Sequence, residues 1–369
     1  MEDARQTGGR RMTTLRVVVD SVLTPDSPAL ARYTADLTRA LIATAPDGCD
    51  VAGIVAASTA AEIASVEERI PGLADLYRTT LPRREVMAAW QLGLGSSPGG
   101  GMIHSPSLFA PFRKHDRASG DQVVVTVHDL LAWTRTDLLP ATVVAWQRAS
   151  LKRARKHADA FVVPTHALAE QLDDLAGVGS RIRVIPSAPR DGLAVTDDGD
   201  ERRARLGLRS DYVAVTGPVD VVRTALDAAE LRGVAIVALD APQRTADEAG
   251  DETSGATDPG PLDAADHAAV LAGARAFIAA DRDDLSGTAL IEAFALEVPV
   301  LHADTAALLE VAGEAGAAFA DADSLAALLS AVVDDAEFTE RLRVAGADRA
   351  RAFSWRETAW RVWQLHADL

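Results

Sequence analysis

Three stretches bring together side chains that can do chemistry. In Val125-Thr126-Val127-His128-Asp129-Leu130 a β-rich run ends in an imidazole and a carboxylate. Side chains at the carboxyl end of a strand stand where α/β proteins bind ligands. A strand terminus held by local hydrogen bonds would give the same pattern. In Phe277–Asp304 a strand-like run is followed by two acids, and then Ser286-Gly287-Thr288 opens a helix with Glu292 one turn inside it. Ser286 or Asp284 can cap that helix. Free N–H groups at such a start favour phosphate, and a carboxylate one turn in can accept hydrogen bonds from sugar hydroxyls. The region could therefore grip a nucleotide diphosphate and its ribose, and an ordinary capped helix fits it equally well.

The third stretch, Gly95-Ser96-Ser97-Pro98-Gly99, has the Gly-x-Ser-x-Gly spacing of a nucleophile elbow. That chemistry needs a strand before the serine and a helix after it. Here a helix-like segment, Val86–Leu92, precedes the serine and a strand follows, so a flexible loop is the better reading. The overlapping Gly93-Leu94-Gly95 lacks both the preceding strand and the third glycine of a dinucleotide fingerprint.

Other chemistries are excluded by composition. The eight histidines show no metal-ligand spacing and Cys49 is alone, so the expectation is no disulfide, no metal site and no cofactor. With 37 basic and 54 acidic residues the net charge is −17, which argues against nucleic acid as a partner. One helix opposes that trend: Arg148 to His157 (RASLKRARKH) carries six basic residues. It reads as a solvated face, or as a patch for an acidic acceptor or an anionic lipid surface. No run approaches 18 apolar residues, and a lone cysteine fits a reducing cytoplasm. The expected location is cytoplasmic, with peripheral contact at the inner face of the membrane left open. Arginine and alanine abound while lysines number only three, Lys114, Lys152 and Lys156, as in a GC-rich bacterial genome.

These residues need elements to hold them. Short β-rich runs fall at Leu15–Asp20, Asp50–Ala56, Gly101–Ser105, Gln122–Val127, Ala160–Pro164 and Arg181–Ile185. After a turn-rich acidic stretch they resume at Tyr212–Thr216, Val234–Leu239, Ala276–Ala280 and Val298–His302. Helical spacing lies between them. Such alternation predicts parallel sheets built of βαβ units. A length of 369 residues suits two such domains. The expected divisions are a disordered lead at 1–12, an N-terminal domain at 13–189, a linker at 190–209 and a C-terminal domain at 210–350. A last helix at 351–369 is expected to pack back on the N-terminal domain, and 241–261 to form a mobile loop.

Further landmarks keep a fixed order. They are His104-Ser105-Pro106 with Ala110-Pro111, the His128-Asp129 stretch with Pro140 after it, and Arg153-Ala154 leading to Val163-Pro164-Thr165-His166. Ile182-Arg183-Val184-Ile185-Pro186, Glu310-Val311-Ala312-Gly313 and Phe353-Ser354-Trp355 follow. Their order and spacing resemble a retaining glycosyltransferase of family 4 over nearly the whole chain. The resemblance implies the GT-B fold, two tandem Rossmann-like α/β domains facing a deep interdomain cleft. In that family two glutamates lie in a Glu-Gly-Phe-Gly-type stretch. Asp284 falls on the first, near the donor sugar, and Glu292 on the second, which holds the ribose.

The resemblance implies transfer of a hexose, mannose first among the candidates, from a nucleotide diphosphate sugar to a glycan, lipid or small-molecule acceptor. Configuration would be retained without a metal, and domain closure would exclude water. His128 and Asp284 would be catalytic. Arg223, Ser286, Gly287, Thr288 and Glu292 would hold the donor, and Arg32, His104 and Asp129 would lie on the acceptor side. Leu285 replaces a family glycine. Gly217-Pro218-Val219-Asp220-Val221-Val222-Arg223 keeps one cation where the family has an Arg and a Lys. Ser27-Pro28-Ala29-Leu30-Ala31-Arg32-Tyr33 replaces a glycine-rich loop. These departures leave a second expectation, a catalytically degenerate GT-B protein acting as a binding or partner subunit.

Overall fold

The computed structural model describes residues 13–24, 27–94, 100–116, 119–208, 211–239 and 255–369. The expected lead at 1–12, the loop 95–99 and most of the 241–261 loop lie outside the described residues. The chain divides into two units: Met1–Val163 with Leu172–Ile185 and Trp355–Leu369, and Pro164–Gln171 with Pro186–Ser354.

The first unit is a seven-stranded sheet of β1 (Thr13–Val18), β2 (Cys49–Val55), β3 (Leu76–Arg78), β4 (Met102–Ser105), β5 (Gln122–Thr126), β6 (Ala160–Val163) and β7 (Ile182–Val184). Their order is β3-β2-β1-β4-β5-β6-β7, and every pairing is parallel. Strands covered on both faces read as continuous apolar runs; all four residues of β6, Ala-Phe-Val-Val, are buried. The order reverses between β1 and β4, and such a switch point opens a crevice at the carboxyl ends of the strands.

The second unit has β8 (Tyr212–Thr216), β9 (Ala235–Ala238), β10 (Ala256–Thr257), β11 (Phe277–Ala279), β12 (Val300–Ala303) and β13 (Ala317–Phe319). Their order, β10-β9-β8-β11-β12-β13, is again wholly parallel, and its switch point lies between β8 and β11. The stretch 190–209, expected as a linker, belongs to this unit: Gly199–Arg205 is a helix packed on the helix Ala264–Ala272. Part of the expected mobile loop is ordered too, because Ala256–Thr257 adds the edge strand β10.

The helix Trp355–Asp368 is part of the first unit. Ala359, Val362, Trp363 and Leu365 enter its core beside Leu37 and Leu41 of the helix Pro28–Ala43. The indole Nε1–H of Trp363 donates to Leu41 O at 3.1 Å, which satisfies the one polar atom of a large buried ring. On the same helix His366 Nδ1 meets Gln122 Oε1 (3.0 Å), and Gln122 Nε2 donates back to His366 O (3.1 Å).

His366 faces His104 of β4, with ring centroids 5.7 Å apart. Both rings are buried, and among the described residues His104 Nδ1 and His366 Nε2 have no hydrogen-bond partner. Burial pushes His104 down to about 3 and His366 well below the usual imidazole range, and each ring opposes a charge on the other.

The unfolded chain therefore takes up protons that the folded pair refuses. Their contribution to stability is full above the unfolded value near 6.5 and is lost as pH falls from there toward 3. The expected slope is about 1.4 kcal/mol per pH unit for each histidine. Urea unfolding at pH 7 and pH 5 should show a smaller loss for His366→Gln than for the unaltered chain. His128 and His302, also held down by burial, act equally in both proteins.

Candidate functional site

In the first unit the loop after β5 carries His128 and Asp129, next to the switch point. The His128 ring meets the edge of Tyr33 with centroids 4.5 Å apart, and Tyr33 meets Trp355 at 5.4 Å. Tyr33 comes from the helix Pro28–Ala43, whose start Pro28 favours with its fixed backbone angle. Burial pushes the Tyr33 phenol up to about 12 against a hydrogen bond with Thr126 that lowers it.

His128 is half-buried, and its Nε2–H donates to Pro106 O at 2.9 Å. Burial lowers its pKa, while the Pro106 carbonyl and the Asp129 charge pull the other way. The ring is thus a neutral imidazole with a fixed tautomer, leaving Nδ1 as a hydrogen-bond acceptor.

The other expected acceptor-side residues separate. Asp129 Oδ1 accepts from Leu131 N at 3.0 Å and so caps the short helix Leu131–Thr134. Arg32, half-buried, precedes Tyr33 on its helix. His104 does not reach the surface: it is 0% exposed, with Nε2 3.4 Å from Thr126 Oγ1. Its expected contact with an acceptor is corrected here, because a side chain in the body of a covered strand packs in the core.

In the second unit the loop after β8 lies against the loop after β11. Gly217 has φ +93°, and a Cβ there would come within 2.7 Å of the Ala280 carbonyl carbon. The β11 loop then folds around one carboxylate. Asp284 Oδ1 accepts from Ser286 N (2.8 Å), Ser286 Oγ (2.9 Å) and Gly287 N (2.9 Å). Gly287 at φ +62° opens the helix Thr288–Ala295, and Thr288 N donates to Ser286 Oγ at 3.4 Å. The amides of Ser286 and Gly287, expected to be free for phosphate, are thus occupied by an acidic side chain of the same loop.

Glu292 is also engaged. It is 2% exposed. Oε1 accepts from Arg190 N (3.2 Å) and Arg190 Nε (3.0 Å), and Oε2 accepts from Arg190 Nη2 (3.2 Å) and His267 Nε2 (2.8 Å). A carboxylate has about four lone-pair positions, and all four are filled. Burial alone would raise its pKa, but the His267 hydrogen bond and the Arg190 charge outweigh it and hold the group at about 2. In this conformation the acceptor positions of Glu292 are taken up within the unit, so a ribose hydroxyl would have to replace one of these partners.

Arg223 lies on the helix Val219–Ala228 and packs toward β10. A Cβ on Gly255 would come within 2.7 Å of its Nη1. Among the described residues its buried Nε and Nη2 find no partner. Also among the described residues, no group of three or more His, Cys, Asp or Glu side chains is placed to hold a metal ion.

Residues 30–188 match the family model described as Glycosyltransferase Family 4. The match lies on the N-terminal side of the chain and covers less than half of it. It contains the Tyr33–His128 contact and Pro106. No curated protein matches the chain in sequence.

Solved structures align over both units. Sucrose-phosphate synthase from Thermosynechococcus elongatus is 18% identical with a TM-score of 0.68, covering 97% of this chain and 99% of that one. HepE from Anabaena, in complex with UDP and glucose, is 15% identical with a TM-score of 0.66, covering 97% and 100%. A UDP-GlcNAc 2-epimerase from Neisseria meningitidis, bound to UDP-GlcNAc, is 11% identical with a TM-score of 0.58 over 97% and 100%. At such identities the likeness establishes the fold, which is GT-B with its two Rossmann-like units.

Sequence reasoning on the family-4 stretch did not assign Tyr33 to the site, and in the second unit it missed Arg190 and His267. A buried carboxylate must find a cation, but nothing in the chain order marks a partner 102 residues away.

Removing one member of a buried charge group leaves the others uncompensated, at a cost of about 3–5 kcal/mol. Glu292→Gln and Arg190→Met should each destabilise the second unit by about that amount. Arg190→Met/Glu292→Leu should cost less than the sum of the single changes in urea unfolding. Additive losses would show that the two side chains do not depend on each other.

Proposed function

We propose that this chain transfers a hexosyl group from a nucleotide diphosphate sugar to a glycan, lipid or small-molecule acceptor. The reading includes retention of configuration and no requirement for a metal, with mannose first among the candidate sugars. One observation carries it: the family-4 match spans the stretch that sets His128 as a neutral, half-buried imidazole at the carboxyl end of β5. With Nε2–H donated to Pro106 O, Nδ1 can accept a hydroxyl of the transferred sugar and orient it. The complex of HepE with UDP and glucose supports a nucleotide-linked donor.

In the second unit the donor-side residue of this reading is Asp284. Its carboxylate sits on the amides that open the helix Thr288–Ala295, where a helix start attracts an anion. A donor phosphate would take those amides by displacing Asp284, which would then be released toward the sugar. Arg223, on the helix Val219–Ala228, would supply positive charge toward the diphosphate.

Calorimetry with GDP-mannose, UDP-glucose, UDP-N-acetylglucosamine, dTDP- and ADP-sugars, without added metal, tests the reading. One donor is expected to bind. His128→Ala should keep affinity for the free nucleoside diphosphate within about three-fold and lose about 10²–10³ in its release from the sugar donor. If no donor binds, the partner-subunit reading replaces this one, and a co-purifying transferase is the next measurement.

A further inference from the structure

The hydrogen bond from His128 Nε2–H to Pro106 O, at 2.9 Å, holds one end of the imidazole. The other end is Cγ, fixed by the chain. A ring pinned at those two points can still turn about the line that joins them, and the torsion concerned is intrinsically broad. Such a turn leaves Nε2 in place and swings Nδ1, the atom that the proposed function aims at the sugar. The direction of Nδ1 is therefore set by what packs against the ring.

Tyr33 packs there. The two ring planes lie 80° apart with centroids at 4.5 Å, a favourable edge-to-face arrangement. Tyr33 is itself held twice. Its phenol is hydrogen-bonded to Thr126, the last residue of β5 and two residues before His128. Its ring meets Trp355 at 5.4 Å, with planes 66° apart. Trp355 opens the helix Trp355–Asp368, whose Ala359, Val362, Trp363 and Leu365 are buried in the core of the first unit. Core packing alone accounts for the contact of Tyr33 with Trp355. It does not call for a buried hydroxyl, which costs free energy unless it is bonded.

We infer that Tyr33 and Trp355 are positioning residues, which set the rotation of the His128 ring and so the direction of Nδ1. They act through His128 and not on the sugar. The inference rests on the role proposed for His128. It gives the last helix a part in the site, from outside the stretch 30–188 that the family model matches.

Two measurements on the full chain test it. The first is 13C relaxation in protein with labelled histidine, the His128 signals being those missing from His128→Gln. Tyr33→Leu should lower the order parameter of the His128 ring C–H bonds by about a third. Tyr33→Phe and Trp355→Leu each remove one of the two holds on the tyrosine ring and should lower it by less. The second is steady-state turnover of the donor that binds. Tyr33→Leu should lower kcat by about 10–100-fold and keep KM within about three-fold. Tyr33→Phe should restore most of that loss, and Trp355→Leu should cost less than about ten-fold. The remaining histidine signals report whether each variant is folded, and if Tyr33→Leu is not, the two milder variants decide. An unchanged order parameter in the folded variants, a loss in Tyr33→Phe equal to that in Tyr33→Leu, or a rise in KM with kcat kept would each overturn the inference. If the unaltered chain turns over no donor, the transferase reading fails, while the relaxation measurement still decides whether Tyr33 and Trp355 fix the ring.

Discussion

A parallel strand covered on both faces has no free surface along its body, so only the residues just past its end can reach a ligand. That constraint orders both units. In each, the strand order reverses once, and the loops at or next to the reversal carry the polar side chains that sequence singles out. His128 lies two residues beyond β5 and is half-buried. His104, inside β4, is wholly buried. The two imidazoles come from the same kind of segment, and a shift of a few residues along a strand separates a candidate ligand from a core group. Asp20 shows a third outcome. It follows β1, yet it accepts from Ala56 N at 2.8 Å and pairs with Arg83, so it ties loops together.

The second unit shows how the same residue type can serve recognition or cohesion. A carboxylate near a helix start is a candidate for sugar hydroxyls when its acceptor positions are free. Glu292 has a bidentate guanidinium, a backbone amide and an imidazole around it, and these leave none free. Asp284 has the complementary effect, since its charge satisfies the amides that would otherwise attract an external anion. The unit thus holds an internal substitute for each polar group of a nucleotide diphosphate that the sequence pattern suggests. Binding there is an exchange of partners, and its strength depends on the difference between two sets of hydrogen bonds.

Most strands were legible because apolar runs such as Tyr212–Thr216 and Ala160–Val163 stand out between helices of clear period. The edge strands β3, β10 and β13 have two or three residues each and partly exposed side chains, so they carry no comparable signal. The helix at Gly199–Arg205 was hidden by the acidic, turn-rich composition around it. The polar loops after β5 and β11 could be read from the sequence, but which of their polar atoms are already engaged could not. Hydrogen bonds such as Arg190–Glu292 or Glu310 to the amides of His166 and Ala167 join positions over a hundred residues apart. Local spacing contains no information on them.

The first unit's core is completed by Trp363 and its neighbours, which are translated only after the second unit's segment 186–354. At about 5–20 residues per second, those roughly 170 residues take on the order of 10–30 s to make. During that time the helix Pro28–Ala43 lacks the indole that Leu41 O accepts from, and its apolar face lacks its cover. The N-terminal half of the protein therefore emerges first and finishes folding last, and the second unit can reach its native packing while the first is still waiting.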